Sequence, residues 1–211
     1  MVREDIKEFI NTLPKDVTLV AATKYIGPED MKILVKNGVF NFGENRTDSF
    51  LEKYNSLQNL GIIWHFIGHL QRNKADDVIN KIDYLHSLDS IKLAEIIEKK
   101  REKPLNCFVE VSINLEESKN GVPFYKTKEF IQELQGFSKI KIVGLMMMAV
   151  KESDENSLEN QFKKLRLLRD EIEKDLNIKI PYLSMGMSDD YKQAIKEGAT
   201  HIRLGRILYN L

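Results

Sequence analysis

Lys24 stands at the end of a short apolar run, where an amine could act as a nucleophile. The run at 17–24 consists of β-formers and small residues, and it predicts a strand buried on both faces. Because side chains alternate along a strand, Lys24 would share a face with Val20 and Ala22, and the small alanine would leave space beside the amine. In α/β proteins the end of such a strand is where ligands usually bind. The simpler alternative is that Lys24 only marks the point where the strand reaches water.

A second group of residues is typical of an anion site. The segment Ser184-Met185-Gly186-Met187-Ser188 leads into a predicted helix, so a glycine, two hydroxyls and free helix N–H groups would lie together. Gly205 and Arg206 follow the last predicted strand, and the loops after strands seven and eight of a barrel often form a phosphate site together. The alternative is that the two serines only cap the helix.

A lysine across from a phosphate site suits a phosphorylated aldehyde, which could form a Schiff base with the amine. Burial at this place would favour the uncharged, nucleophilic form of the amine. A Schiff-base aldolase that acts on a sugar phosphate would use the same layout. Metal chemistry is poorly supported, because His65 and His69 have no clear third ligand and structural histidines are the simpler interpretation.

The elements that must position these residues alternate between strand and helix. Strands are predicted at 17–24, 40–42, 62–67, 84–87, 106–113, 140–146, 180–183 and 201–204, with a charged loop at 114–122. Helical patterns separate them, and residues 3–12 predict an extra N-terminal helix. The alternation predicts an α/β protein with a single (β/α)8 TIM barrel domain over residues 1–211. A doubly wound sheet is the alternative, because periodicity alone cannot close a barrel.

The composition is that of an ordinary globular chain, with 42% hydrophobic and 30% charged residues. Thirty-two basic residues balance 32 acidic ones, which gives no feature typical of nucleic-acid or anionic-membrane binding. The single cysteine, Cys107, lies in an apolar run and is expected to be buried and inert. The charged N-terminus and the lack of a long apolar run predict a cytoplasmic protein with no signal peptide or membrane helix.

Several motifs, taken in order, make the chain similar to a known family. They are Ala22-Thr23-Lys24, Phe42-Gly43-Glu44-Asn45, Trp64-His65-Phe66-Ile67-Gly68-His69, Glu117-Ser118-Lys119-Asn120-Gly121 and the segment from Ser184 to Ser188. With them the chain resembles the pyridoxal 5′-phosphate (PLP) homeostasis proteins over nearly its whole length. That family is a single-domain barrel similar to the N-terminal half of bacterial alanine racemase.

The resemblance implies a set of cofactor contacts. Lys24 would carry PLP as a Schiff base, the internal aldimine, and Asn45 would lie near the ring. Arg203 would face the pyridine nitrogen and keep it unprotonated, which makes the ring a poorer electron sink. The phosphate would be held by Ser184, Gly186, Met187, Ser188 and Gly205. Arg206 stands where the family often has a small hydroxyl residue, so it would either clamp the phosphate or point to solvent.

The resemblance also implies a role without catalysis. Racemisation needs two opposed bases in a site closed from water. In alanine racemases the second base comes from another domain, for which this chain has no residues left. We therefore expect a monomeric protein that buffers PLP or delivers it to apo-enzymes, with no catalytic residue and no metal. An amino-acid racemase and, less favoured, a Schiff-base aldolase are the alternatives.

Overall fold

The computed structural model describes residues 1–113, 120–150 and 152–210, so most of the charged loop predicted at 114–122 lies outside the described residues. The strands are β1 (Thr18–Ala22), β2 (Asn41–Glu44), β3 (Ile63–Phe66), β4 (Tyr84–Leu88), β5 (Leu105–Ser112), β6 (Val122–Pro123), β7 (Ile140–Met146), β8 (Tyr182–Ser184) and β9 (His201–Leu204). The α-helices are α1 (Ile6–Asn11), α2 (Pro28–Lys36), α3 (Thr47–Ser56), α4 (Ala75–Val78), α5 (Ile91–Lys100), α6 (Thr127–Leu134), α7 (Glu155–Leu176) and α8 (Tyr191–Lys196).

The sheet closes on itself. Its strand order is β4-β3-β2-β1-β9-β8-β7-β5, and β4 also pairs with β5, which joins the two ends. Each of these pairings is parallel, while β6 only extends β5 outside the ring. The predicted (β/α)8 barrel and its extra N-terminal helix are therefore confirmed, and the doubly wound alternative is wrong. In such a barrel the carboxyl ends of all strands meet at one mouth.

The predicted strands at 140–146 and 201–204 have the observed bounds, whereas the strand predicted at 180–183 begins later, at Tyr182. Pro181 explains the shift, because proline has no N–H to donate to the strand ladder. The strand also ends one residue later than predicted, at Ser184, whose side chain is fully buried. The single helix predicted after β3 is instead a 3-10 turn at Arg72–Lys74 followed by the short α4.

The barrel has an apolar outer layer and a mixed interior. The main hydrophobic core lies between the strands and the helices. Inside the ring, Phe108 packs against His86 and His201, with ring centroids 4.4 and 5.1 Å apart, and Tyr84 stacks on His65 at 4.6 Å. Polar rings in a closed interior need hydrogen-bond partners, since an unpaired buried polar group is costly.

Two further sequence expectations concern single features. Cys107 is fully buried, as predicted, and burial raises the pKa of its thiol, which keeps it protonated and inert. Among the described residues, no helix combines the length and the apolar composition that crossing a bilayer requires.

Candidate functional site

One cavity of about 400 Å³ opens at the carboxyl ends of the strands. Its wall includes seven of the residues predicted to bind a ligand: Lys24, Asn45, Met187, Ser188, Arg203, Gly205 and Arg206. The other two, Ser184 and Gly186, are buried beside the cavity. Closure of the barrel thus brings residues from the two ends of the chain around one space.

Lys24 follows β1 by two residues and reaches the cavity with its side chain exposed. Its Nζ lies 4.8 Å from the centroid of the Tyr25 ring. Ala22 and Gly43 also line the cavity, so small residues leave space beside the amine as predicted. The prediction that the Lys24 amine is buried is wrong for the chain without a ligand, because β1 ends before Lys24. A ligand would have to exclude the water.

A buried ion pair supports the two strand ends that carry Lys24 and Asn45. Lys53 of α3 contacts the Glu44 carboxylate and donates a hydrogen bond of 2.6 Å to the carbonyl of Thr23. The Thr23 hydroxyl donates to Glu44 Oε1 at 2.6 Å, and Glu44 Oε2 accepts the N–H of Asn45 at 3.2 Å. The network ties β1 to β2 directly behind the site. Sequence reasoning did not single out any of its side chains for this role.

The side-chain oxygen of Asn45 has no hydrogen-bond partner among the described residues. This Oδ1 atom is buried. The residue itself is held closely, because a Cβ at Gly68 would lie 2.4 Å from the Asn45 carbonyl oxygen. An unsatisfied buried oxygen in a cavity wall is typical of an atom whose partner is a ligand.

Ser188 joins the two loops that were predicted to form a phosphate site. Its Oγ accepts the N–H of Gly205 at 3.3 Å and that of Ile207 at 3.5 Å. The hydroxyl accepts in both contacts, so its hydrogen can be donated to a ligand. The backbone N–H of Met187 is already donated to the Asp190 carboxylate at 2.5 Å, which makes Ser188 the better donor of this turn.

Gly186 shapes the same turn from behind. Its φ of +93° lies in the left-handed region, and a Cβ there would lie 2.7 Å from the Cβ of Ala194. Glycine is therefore required on both conformational and steric grounds. The helix predicted to follow Ser188 begins only at Tyr191 and has six residues, so the turn depends more on its hydroxyl than on a helix dipole.

Arg203 is buried in the cavity wall and anchored from behind. Its Nη1 donates to Ser184 Oγ at 2.6 Å, and its Nη2 donates to the Met147 carbonyl at 2.8 Å. Burial lowers the pKa of the guanidinium to about 10, against the opposing effects of Asp190 and Glu110. The side chain still carries a positive charge at neutral pH.

Arg206 lies at the rim of the cavity, a position that is compatible both with a contact to the phosphate and with exposure to solvent. Its guanidinium is solvent-exposed and pairs with the exposed carboxylate of Asp189, yet both residues line the cavity. Exposed ion pairs contribute little to stability, so this pair can open at small cost.

His69 lies at the rim too, with its Nδ1 3.4 Å from the Asp89 carboxylate. In the described part of the chain, no three metal-ligating residues cluster.

Glu110 is a charged wall residue that sequence reasoning missed. It lies in β5, is 5% exposed and lines the cavity. Burial, assisted by nearby Asp89 and opposed by Arg203, raises the pKa of its carboxyl to about 7. An acidic residue within the apolar run Phe108-Val109-Glu110-Val111 was a usable signal, because a charge is rarely placed in a strand buried on both faces.

A family model described as the alanine racemase N-terminal domain matches residues 2–211. A pyridoxal phosphate homeostasis protein from Aquifex aeolicus is 38% identical over 194 residues, which cover 90% of this chain and 85% of the relative. A protein of the same name from Synechocystis sp. is 36% identical over 207 residues, covering 96% and 94% of the two chains. The chain belongs to the pyridoxal phosphate homeostasis protein family.

Solved structures agree with this family membership. PipY of Synechococcus elongatus, solved with PLP bound, superposes with a TM-score of 0.91 at 28% identity, covering 97% of this chain and 100% of PipY. The alanine racemase of Clostridium difficile has a TM-score of 0.80 at 18% identity, and the match covers 99% of this chain but 57% of the racemase. The second likeness shows the barrel fold alone.

Proposed function

We propose that the chain binds PLP at the barrel mouth and acts in PLP homeostasis, holding the cofactor and releasing it. The main observation behind this proposal is that the Lys24 amine, the charged Arg203 and the Ser188 hydroxyl line one cavity. The names of the Aquifex and Synechocystis relatives and the PLP bound to PipY support the same proposal.

The residues of the wall fit this cofactor in their chemistry. An amine suits its aldehyde, a hydroxyl donor and a cation suit its phosphate, and the unpaired Asn45 oxygen suits a polar substituent of the ring. When bound, PLP supplies an aldehyde carbon that amines attack and a ring that withdraws electrons.

Each residue then has a defined task in the proposal. Lys24 binds the aldehyde carbon as a Schiff base, and Asn45 contacts the ring. Arg203 faces the pyridine nitrogen, where its charge disfavours a second positive charge and keeps that nitrogen unprotonated. The loop residues Gly186, Met187, Ser188 and Gly205 hold the phosphate, with Arg206 beside it at the rim.

We place the protein among carriers and regulators rather than enzymes. An unprotonated ring stabilises carbanions poorly, and the exposed Lys24 indicates a site open to water. The proposal includes a monomeric cytoplasmic protein with one domain over residues 1–211 that delivers PLP to apo-enzymes. An amino-acid racemase is the second candidate, favoured by Glu110, a buried carboxyl in the same cavity whose pKa of about 7 suits acid–base catalysis.

The test is the visible spectrum of the purified protein after incubation with PLP and removal of the unbound cofactor, before and after borohydride. Wild type should be coloured, and reduction should fix the cofactor mass on the peptide that contains Lys24. The Lys24→Ala variant should lose both signals, while Lys36→Ala, which removes an exposed lysine of α2, should keep them. A wild type that stays colourless with PLP would refute the proposal. Enzyme-like interconversion of L- and D-amino acids would favour the racemase.

A further inference from the structure

A continuous chain of hydrogen bonds crosses the barrel interior and ends at Arg203. Asn41 Oδ1, at the start of β2, lies 3.0 Å from His65 Nε2, and His65 Nδ1 lies 2.9 Å from His86 Nε2. His86 Nδ1 lies 2.8 Å from Ser184 Oγ, which accepts the hydrogen bond of Arg203. We call His65, His86 and Ser184 the interior relay, and all three residues are 0% exposed.

With the Asn41 oxygen facing His65, the chemistry of the two ends sets the direction of every hydrogen bond between them. Asn41 Oδ1 can only accept, so His65 carries its hydrogen on Nε2 and its Nδ1 must accept. His86 therefore donates from Nε2, and its own Nδ1 accepts the hydroxyl hydrogen of Ser184. That leaves the Ser184 oxygen to accept from Arg203, which has only donors.

The reverse arrangement fails at Ser184. If the Asn41 amide were turned, both histidines would carry their hydrogen on Nδ1, and Ser184 Oγ would accept from His86 and from Arg203 together. The hydroxyl hydrogen would then have no acceptor among the described contacts of this buried residue. The first arrangement satisfies each group of the relay and is preferred for that reason.

We infer that His86, backed by His65, is a positioning residue for Arg203: it takes the Ser184 hydrogen, so that the serine oxygen faces the guanidinium. The inference deepens the proposed function, because Arg203 is the group proposed to face the pyridine nitrogen. It also assigns the two serines different roles, although they look alike in sequence. Ser184 orients Arg203, and Ser188 is the hydroxyl that binds the phosphate. Burial holds the pKa of His65 and of His86 well below the usual range; His201 also lowers both, and His65 and Arg203 further lower that of His86.

Nitrogen-15 NMR of the histidine rings in ligand-free wild type tests the direction of the relay. We expect His65 and His86 both to be neutral with hydrogen on Nε2, and to stay so from about pH 5.5 to about pH 8. Hydrogen on Nδ1 of either ring, or an imidazolium that appears within this interval, would overturn the inference. This measurement requires no variant and no cofactor.

Variants test the effect on Arg203. Ser184→Ala removes the acceptor and His86→Phe removes the group that orients it, so Arg203 side-chain N–H exchange should become about tenfold faster in each. His201→Phe is the matched control, since His201 packs in the same interior but hydrogen-bonds Thr200 instead of the relay. Equal acceleration in the control, or none in Ser184→Ala, would contradict a positioning role. If His86→Phe does not fold, the exchange rates of Ser184→Ala and the histidine tautomers of wild type still test the positioning role.

The outcome can be separated from that of the proposed function. If the chain binds no PLP, the histidine tautomers and the Arg203 exchange rates can still be measured in the ligand-free state, and they test the inference independently. If the chain binds PLP, Ser184→Ala should weaken binding about tenfold while borohydride still fixes the cofactor on Lys24. Loss of the Lys24 adduct in this variant would instead place Ser184 in the binding chemistry.

Discussion

Glu110 makes the stability of the ligand-free chain dependent on pH. Its carboxyl keeps the proton up to about pH 7 in the folded state but loses it near pH 4.5 when unfolded. The folded state therefore binds more protons between these values, and stability falls as pH rises through that interval. The ionised carboxylate is the form that burial, assisted by Asp89, disfavours.

Glu110→Gln should remove this dependence, because the amide keeps the shape without the charge. At pH 7.5 the variant should be more stable than wild type by roughly 2–3 kcal/mol, and near pH 4 the two should be equal. Urea unfolding at both pH values measures the difference. Glu95→Gln, at an exposed position on α5, is the control and should follow wild type. A constant difference between wild type and Glu110→Gln at all pH values would contradict the account.

Ser188 is the residue whose loss should act on the phosphate of the ligand. Its hydroxyl joins the loops after β8 and β9 and can still donate one hydrogen. Ser188→Ala should weaken PLP binding about tenfold. Binding of pyridoxal, which has no phosphate, should hardly change, and titrating both ligands by absorbance measures the contrast. Equal weakening for the two would show that the hydroxyl serves the ring or the fold instead.

At the scale of elements, α3 acts on the site through one lysine. Lys53 and Glu44 are buried together, and Glu44 also holds Thr23 and Asn45 on neighbouring strands. A buried pair is not in itself strongly stabilising, but removing one partner leaves an uncompensated charge. The helix thus fixes the spacing of β1 and β2 where Lys24 and Asn45 emerge.

Lys53→Met should therefore lower the free energy of unfolding by about 3–5 kcal/mol. Lys53→Met combined with Glu44→Leu should recover much of this loss, because the unpaired carboxylate is gone as well. Denaturant unfolding measures the stabilities. The double variant should still bind PLP less tightly than wild type, since Asn45 and Thr23 lose their shared acceptor. A double variant as unstable as the single one would contradict this account.

At the scale of the whole molecule, the site depends on closure of the barrel. The cavity wall takes residues from β1, β2, β3, β5, β7, β8 and β9 or the loops after them, and closure through β4 and β5 brings these together. A ligand that contacts residues so far apart in the chain binds only the folded barrel. Binding should therefore stabilise the molecule as a unit.

PLP should raise the thermal midpoint in a concentration-dependent way. At a hundredfold excess over the dissociation constant the gain is about 2.7 kcal/mol. Pyridoxal should give a smaller shift, and Lys24→Ala should give a smaller shift with PLP than wild type does. Thermal unfolding followed by circular dichroism measures all three. An unchanged midpoint in a sample whose spectrum shows bound PLP would mean that the site can open without unfolding the barrel.

The sequence by itself determined the alternation of strands and helices, and with it the strands that lead to Lys24 and to the segment from Ser184 to Ser188. These depend on local patterns: residue types that alternate every two positions, and turn residues that follow them. Cys107 was predicted to be buried for the same reason, and it is.

Only the tertiary structure decided which inward-facing residues meet. His86 and Ser184 are 98 positions apart, Lys53 reaches back 30 positions to Thr23, and Glu110 enters the wall only when β5 joins the ring. Periodicity sets which face of a strand a residue occupies, but register and closure select its neighbours across the barrel. Ser184 and Ser188 show the difference, since the Ser184 hydroxyl donates to His86 in the barrel interior, whereas the Ser188 hydroxyl can still donate to a ligand at the mouth.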